Sequence, residues 1–267
     1  MPAEHEANLP APGPDWGLRN DGRMPDRGPR YTETPPDPSA ADAPFPAEPF
    51  NAVTASFFVW IVLVWWWRLR GRFRRYPFLS CCLPILLAGG IGGTVYHGTR
   101  RSTFFFLMDI IPISVLGLAG AIYLAVKLTK RWAWLYIAGS VLVYIVANEL
   151  LFRVIRPSIM WAVGLSYATL AAIVVTLMGL VLAKTRFRHV GWATGGVVSF
   201  GIAFFFRQLD DRAAAVLNLP MGSHWLWHTF GAVAVAFVIE YFYRVEGDRP
   251  PAVRPNVADI EQPYPTA

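Results

Sequence analysis

Seven long apolar runs limit the folds open to this chain more than any other feature. They lie at about 51–67, 78–97, 103–127, 133–152, 158–183, 190–206 and 223–243. Most reach the ~17–25 residues that an α-helix needs to cross the hydrocarbon core, where each backbone polar group must be satisfied within the segment. Charged residues make up 16% of the chain and hydrophobic residues 54%, against about 25% charged in ordinary soluble domains. The sequence therefore predicts an all-α membrane protein, a seven-transmembrane helix bundle that is integral and multi-pass. Pro84 and Pro112 fall inside the runs, as transmembrane helices tolerate. Trp65, Trp66, Trp67, Trp132, Trp134, Trp161, Trp225 and Trp227 fall near run ends, where an interfacial aromatic belt belongs.

The rest of the chain divides around these runs. Residues 1–49 hold 12 of the 22 prolines, nine acids and four arginines. They read as an extended, Pro-rich acidic N-terminal tail with no core of its own. Residues 50–243 form the transmembrane domain, and 244–267 a disordered cytoplasmic tail. The start of the chain has no basic stretch leading into an apolar core, so no signal peptide is expected. Cys81 and Cys82 are adjacent within a run and read as packing residues, not a disulfide framework. The net charge is +6, but the arginines lie in short loops between apolar runs, which argues against nucleic acid as a partner. The oligomeric state is not set by the sequence.

Orientation follows from lysine and arginine. Arg68, Arg70, Arg72, Arg74, Arg75, Lys127, Lys130, Arg131, Lys184, Arg186, Arg188, Arg244, Arg249 and Arg254 fall on one side. The opposite loops carry six: Arg100, Arg101, Arg153, Arg156, Arg207 and Arg212. The positive-inside rule then predicts an outer N-terminus and a cytoplasmic C-terminus. In a bacterium, the inner membrane would be the expected location.

Histidine is rare inside membranes and marks function there. His224 and His228 are four residues apart at the start of the last run, on one helical face. His97 closes the second run. The charge-derived topology puts all three at the outer side, at one depth. Two readings compete: imidazoles bonded to lipid and water at the interface, or a zinc site with three protein ligands and an open fourth position. The shared depth favours zinc.

Three acids lie in the runs: Asp109, Glu149 and Glu240. A carboxylate in a bilayer is costly unless paired or solvated. Glu240, at the inner end, is expected to reach cytoplasmic arginines, and Glu149 to pair with Arg153 one turn on. Asp109 has two readings, a general base for water on the metal or a partner fixing a histidine tautomer. Arg207 and Asp210 are three apart and can meet as a brace before the histidine pair.

The order His97…Asp109…His224-x-x-x-His228 over seven helices resembles the alkaline ceramidases, which share a superfamily with the progestin/adipoQ receptors and haemolysin-III-like proteins. Gly93-Thr94-Val95-Tyr96-His97 is similar to the family's Ser-x-x-x-His segment, with glycine at the serine position and Thr94 one residue on. Gly222-Ser223-His224-Trp225-Leu226-Trp227-His228 is similar to its histidine pair, and Ala47-Glu48-Pro49-Phe50-Asn51 to the entry of its first helix. Tyr31-Thr32-Glu33 is similar to the aromatic-Cys-Glu step before that entry, with Thr32 in place of the cysteine. The resemblance implies a hydrolase of ceramide-like membrane lipids. It implies zinc on His97, His224 and His228, Asp109 and Thr94 as catalytic residues, and calcium on Glu48 and Glu33. The alternative is a receptor-like or pore-like membrane protein in which zinc is structural.

Overall fold

The structure is a computed structural model and describes residues 24, 26–38, 40–155 and 159–248. Parts of the two expected tails, 1–23 and 249–267, lie outside the described residues. Among the described residues there are nine α-helices, and eight of them build seven spans. Helices α1 (Pro49–Ala55) and α2 (Phe57–Leu69) form the first span, joined at Ser56. Then come α3 (Pro77–Thr99), α4 (Thr103–Leu128) and α5 (Ala133–Leu150), the last continued by a π-helical turn at Leu151–Ile155. Helices α6 (Ile159–Lys184) and α7 (Val190–Leu209) follow, then the short α8 (Ala213–Leu217) and finally α9 (His224–Gly247). All seven spans are long and apolar enough to cross a membrane, and the expected runs match them to within a few residues at most ends.

Helix α9 packs most extensively along α7, α3 along α4, and α4 along α6, while α1 and α2 lean on α3 and α9. The main core lies in the half of the bundle away from the histidines. It joins Val62, Trp65 and Leu69 of α2 with Leu79 and Leu83 of α3, Leu124 of α4 and Tyr241 and Phe242 of α9. The outward faces carry Trp60, Phe104, Leu142, Val143 and Val154, each more than half exposed. An apolar surface this extensive is untenable in water and suited to lipid. Helix α5 illustrates this: Ala133 is its only buried residue among those described.

Two of the acids in the apolar runs follow the sequence expectation. Glu240 accepts from Arg68 at 2.5 Å and from Arg244 at 2.8 Å. Glu149 pairs with Arg153 on the exposed side of α5. At the end where α3 finishes and α9 begins, residues 26–38 and 40–48 are docked on the bundle rather than extended away from it. The amides of Ala47 and Glu48 donate to the carbonyls of Gly98 and His97 at 2.9 and 3.0 Å, satisfying acceptors that the end of α3 leaves open. The segment has no core of its own, as expected, but borrows that of the bundle: Tyr31, Thr34, Ala47 and Glu48 are buried.

Candidate metal centre

His97 sits in the last turn of α3, and His224 and His228 in the first two turns of α9. The three are 0%, 1% and 3% exposed. Each offers one nitrogen such that all three lie within 4.8 Å of one another, an arrangement that can hold a metal ion. Two local devices fix the α9 pair. Gly222, at φ +77°, turns the chain into α9, and a Cβ there would lie 2.4 Å from Asp210 Oδ1. That same oxygen accepts the amides of Ser223 and His224 at 2.7 and 2.8 Å, an anion placed on the open N–H groups of a helix start. Asp210 also accepts the amide of Thr32 at 2.9 Å, tying the N-terminal segment to the same point. Asp210 is thus the brace expected from the sequence, but not through Arg207, whose guanidinium instead lies over the rings of Tyr167 and Trp227.

The chemistry of the donor set fits zinc. Glu48 Oε2 lies 2.5 Å from His97 Nδ1. A carboxylate only accepts, so a proton is on Nδ1, and the neutral imidazole then presents Nε2 as a bare lone pair. That Nε2 lies 3.1 Å from His228 Nε2, close to the edge of a tetrahedron with zinc–nitrogen bonds of about 2.0–2.1 Å. His224 Nδ1 is buried and has no hydrogen-bond partner among the described residues. Tyr31 stacks on His224 with ring centroids 3.7 Å apart and closes the cluster on the side of the N-terminal segment.

Asp109, on α4, meets α3 at Gly93. Its Oδ1 would lie 2.5 Å from a Cβ at Gly93, which precedes His97 by one turn on the same face of α3. The absence of a side chain at Gly93 is therefore what admits the Asp109 carboxylate. Asp109 is half-buried and makes no hydrogen bond or ion pair among the described residues. The Thr94 hydroxyl donates to the Gly90 carbonyl at 2.7 Å, within its own helix.

Glu48 and Glu33 do not converge on a shared cation. Glu33 accepts the amides of Phe50 and Asn51 at 2.7 and 3.0 Å, so it caps α1 from a distance in sequence. The cation beside Glu48 is Arg100, 1% exposed and left-handed at φ 52° where α3 ends. Its Nη1 lies 2.5 Å from Glu48 Oε1, its Nε donates to Asp26 at 2.8 Å and its Nη2 to the Pro29 carbonyl at 2.8 Å. Thr34 donates its hydroxyl to Glu48 as well. Burial pushes the Glu48 carboxyl up, but His97, Arg100 and Thr34 outweigh it and hold the group down at about 2. Burial also opposes the charge on Arg100, and the surrounding Tyr96, Glu48 and Asp26 override it. The calcium implied by the resemblance does not fit here, because a guanidinium already takes up this oxygen cluster.

The sequence reading gave Arg100 and Asp26 no role at the site, named Tyr31 only within the Tyr31-Thr32-Glu33 step, and gave Arg207 only a bracing role. Arg100 counts in the sequence as one more loop arginine, and Asp26 and Tyr31 as tail residues. No local pattern announces that they fold back over the histidines. No protein-family model matches the chain, and no curated protein matches it.

Proposed function

We propose that the chain is a zinc-dependent intramembrane lipid hydrolase, cleaving the amide of ceramide or a related lipid at the outer side of the membrane. The observation that carries this reading is the pairing of three buried imidazoles with a carboxylate, Asp109, that nothing nearby neutralises by contact. A metal that only staples helices has no need of an unengaged carboxylate one turn away, and such a group is costly to keep. His97, His224 and His228 would hold the zinc, and when bound it would supply an activated water by lowering the pKa of that water to about 7. Asp109 takes the proton from the attacking water. As the C–N bond breaks it returns that proton to the leaving amine, so a fatty acid and an amine are released. Glu48 holds His97 in the tautomer that presents Nε2, and Asp210 holds the α9 pair in register.

The test is lipid analysis of purified, zinc-loaded protein incubated with a mixed lipid extract containing ceramide. Release of fatty acid and sphingoid base by the wild type, but not by Asp109→Asn at equal zinc content, is expected. Full zinc with an unchanged lipid profile in both would point instead to a haemolysin-III-like or adipoQ-receptor-like protein with structural zinc.

A further inference from the structure

Three residues of the loop between α6 and α7 are left-handed without being glycine: Arg186 at φ 54°, Phe187 at φ 59° and His189 at φ 64°. Side chains rarely adopt that conformation, and ligand clamps are among the places where it gathers. The loop leaves the Phe187 ring 61% exposed. With His189, Val190, Gly191 and Trp192 at the start of α7, and Phe237 of α9, Phe187 lines a groove of about 440 Å³, a volume typical of ligand sites. Gly191 keeps the groove open, since a Cβ there would meet nothing within 4 Å. Gly195, one turn on, admits the Phe237 ring, which a Cβ would approach to 2.6 Å. Trp192 and Phe237 form the aromatic wall, with ring centroids 5.7 Å apart.

The groove is mostly apolar, but the loop beside it is basic. Lys184 is engaged, donating to the Lys127 and Leu128 carbonyls at 3.3 and 2.6 Å. Arg244 is engaged by Glu240 at 2.8 Å and lies over the Trp192 ring at 5.0 Å. Asp248 accepts from Arg188 Nη2 at 3.1 Å and meets His189 Nε2 at 3.2 Å. Arg186 makes no hydrogen bond or ion pair among the described residues. Arg186-Phe187-Arg188 thus sets two exposed guanidinium groups on either side of an exposed aromatic ring. A guanidinium fork matches a phosphate. The spans of α6 and α7 meet at this loop, so it lies where the hydrocarbon core ends. An apolar groove with a basic edge at that level suits a molecule with apolar chains and an anionic head. A small polar anion would leave the groove unfilled, and a lipid without net charge would leave Arg186 unmatched.

We propose that the groove between the α6–α7 loop and α9 is a binding site for one anionic phospholipid. An acyl chain lies along Phe187, Val190, Gly191 and Phe237, and the headgroup phosphate takes the forks of Arg186 and Arg188. The site lies at the end of the bundle away from the histidine cluster, where the loop meets Asp248 just past α9. It is therefore independent of zinc and of the hydrolase reading.

The test uses the purified full chain in detergent, with bound lipid counted by native mass spectrometry across a titration. The probes are dioleoyl phosphatidylglycerol and dioleoyl phosphatidylcholine, which share both chains and differ in net headgroup charge. Wild type should hold one phosphatidylglycerol at least about tenfold more tightly than phosphatidylcholine. Arg186→Gln should reduce that preference, and Arg186→Gln/Arg188→Gln should abolish it with phosphatidylcholine binding unchanged. Both side chains are exposed, so these variants keep the fold. Gly191→Leu fills the open space and should weaken both lipids. Arg70→Gln/Arg74→Gln removes two exposed charges from the loop between α2 and α3 and should leave the preference intact. Equal binding of the two lipids by wild type would overturn the site, as would a preference retained in Arg186→Gln/Arg188→Gln. An equal loss in Arg70→Gln/Arg74→Gln would overturn it in favour of diffuse attraction to the basic loops. So would unchanged binding of both lipids by folded Gly191→Leu, or displacement of phosphatidylglycerol by inorganic phosphate at matched concentration. If Gly191→Leu does not fold, the arginine variants decide alone.

Discussion

Asp109 and Gly93 act as one unit, because the carboxylate occupies the space that a side chain on α3 would fill. Two predictions follow from that contact. Asp109→Asn keeps its shape and should keep zinc and fold while turnover falls 10²–10⁴-fold, the usual cost of losing a general base. If Asp109 only orients a ligand, zinc affinity itself should fall about 10–100-fold, so zinc content and hydrolysis on one preparation separate the roles. Gly93→Ser puts a serine where the Ser-x-x-x-His segment that this stretch resembles has one, yet here its Cβ would lie 2.5 Å from Asp109 Oδ1. The carboxylate must move, and turnover should drop by about 10²-fold at unchanged zinc, the scale of a ~1 Å misplacement. Greater turnover in Gly93→Ser would contradict this geometry. His97, His224, His228 and Asp109 were legible in the sequence because imidazole and carboxylate stand out in apolar runs. Arg207 was legible as a charge but not as an unpaired one. Its pairing with Asp210 was a sound inference from spacing, and the structure instead gives Asp210 to the amides that open α9.

At the level of elements, the N-terminal segment works as a strap held by Arg100. Its guanidinium gathers Asp26, Glu48 and the Pro29 carbonyl, and Glu48 passes the constraint to His97. Removing one partner of a buried pair leaves the other charge stranded, at a cost of about 3–5 kcal/mol. Arg100→Ala should therefore lower the melting temperature and make residues 26–48 the first site of limited proteolysis. Added calcium should leave the wild-type melting temperature unchanged. A clear calcium-dependent rise would show that the oxygens around Arg100 do hold a divalent ion. Glu48→Gln should weaken zinc binding about 10–100-fold in a competition titration, since the amide cannot anchor the His97 Nδ1 proton as an anion does. The strap was not legible because its sequence is what a tail looks like, proline-rich and acidic without periodicity. It is ordered by surfaces on α3 and α9 that come together only in the folded chain. The seven spans were legible because lipid forces each helix to satisfy its own backbone, so length and hydropathy suffice.

For the whole molecule, the seven spans form one bundle with the candidate metal site at the end where α3 finishes and α9 begins. The lysine and arginine bias predicts that this end faces outside, with the N-terminal strap on the same side. In a Cys81→Ser/Cys82→Ser background, a cysteine introduced at the exposed Asp42 should react with an impermeant reagent on intact cells. Labelling only after lysis would turn the bundle over and put the site on the cytoplasmic side. The central claim is narrower than topology or substrate, namely that His97, His224 and His228 hold one zinc ion together. Elemental analysis of the purified full chain tests it directly. About one zinc per chain is expected for the wild type, falling to a small fraction in His224→Ala, because two ligands hold zinc poorly where three are the rule. Wild-type protein without zinc after purification in zinc-containing buffer, or full zinc retained by His224→Ala, would contradict the site.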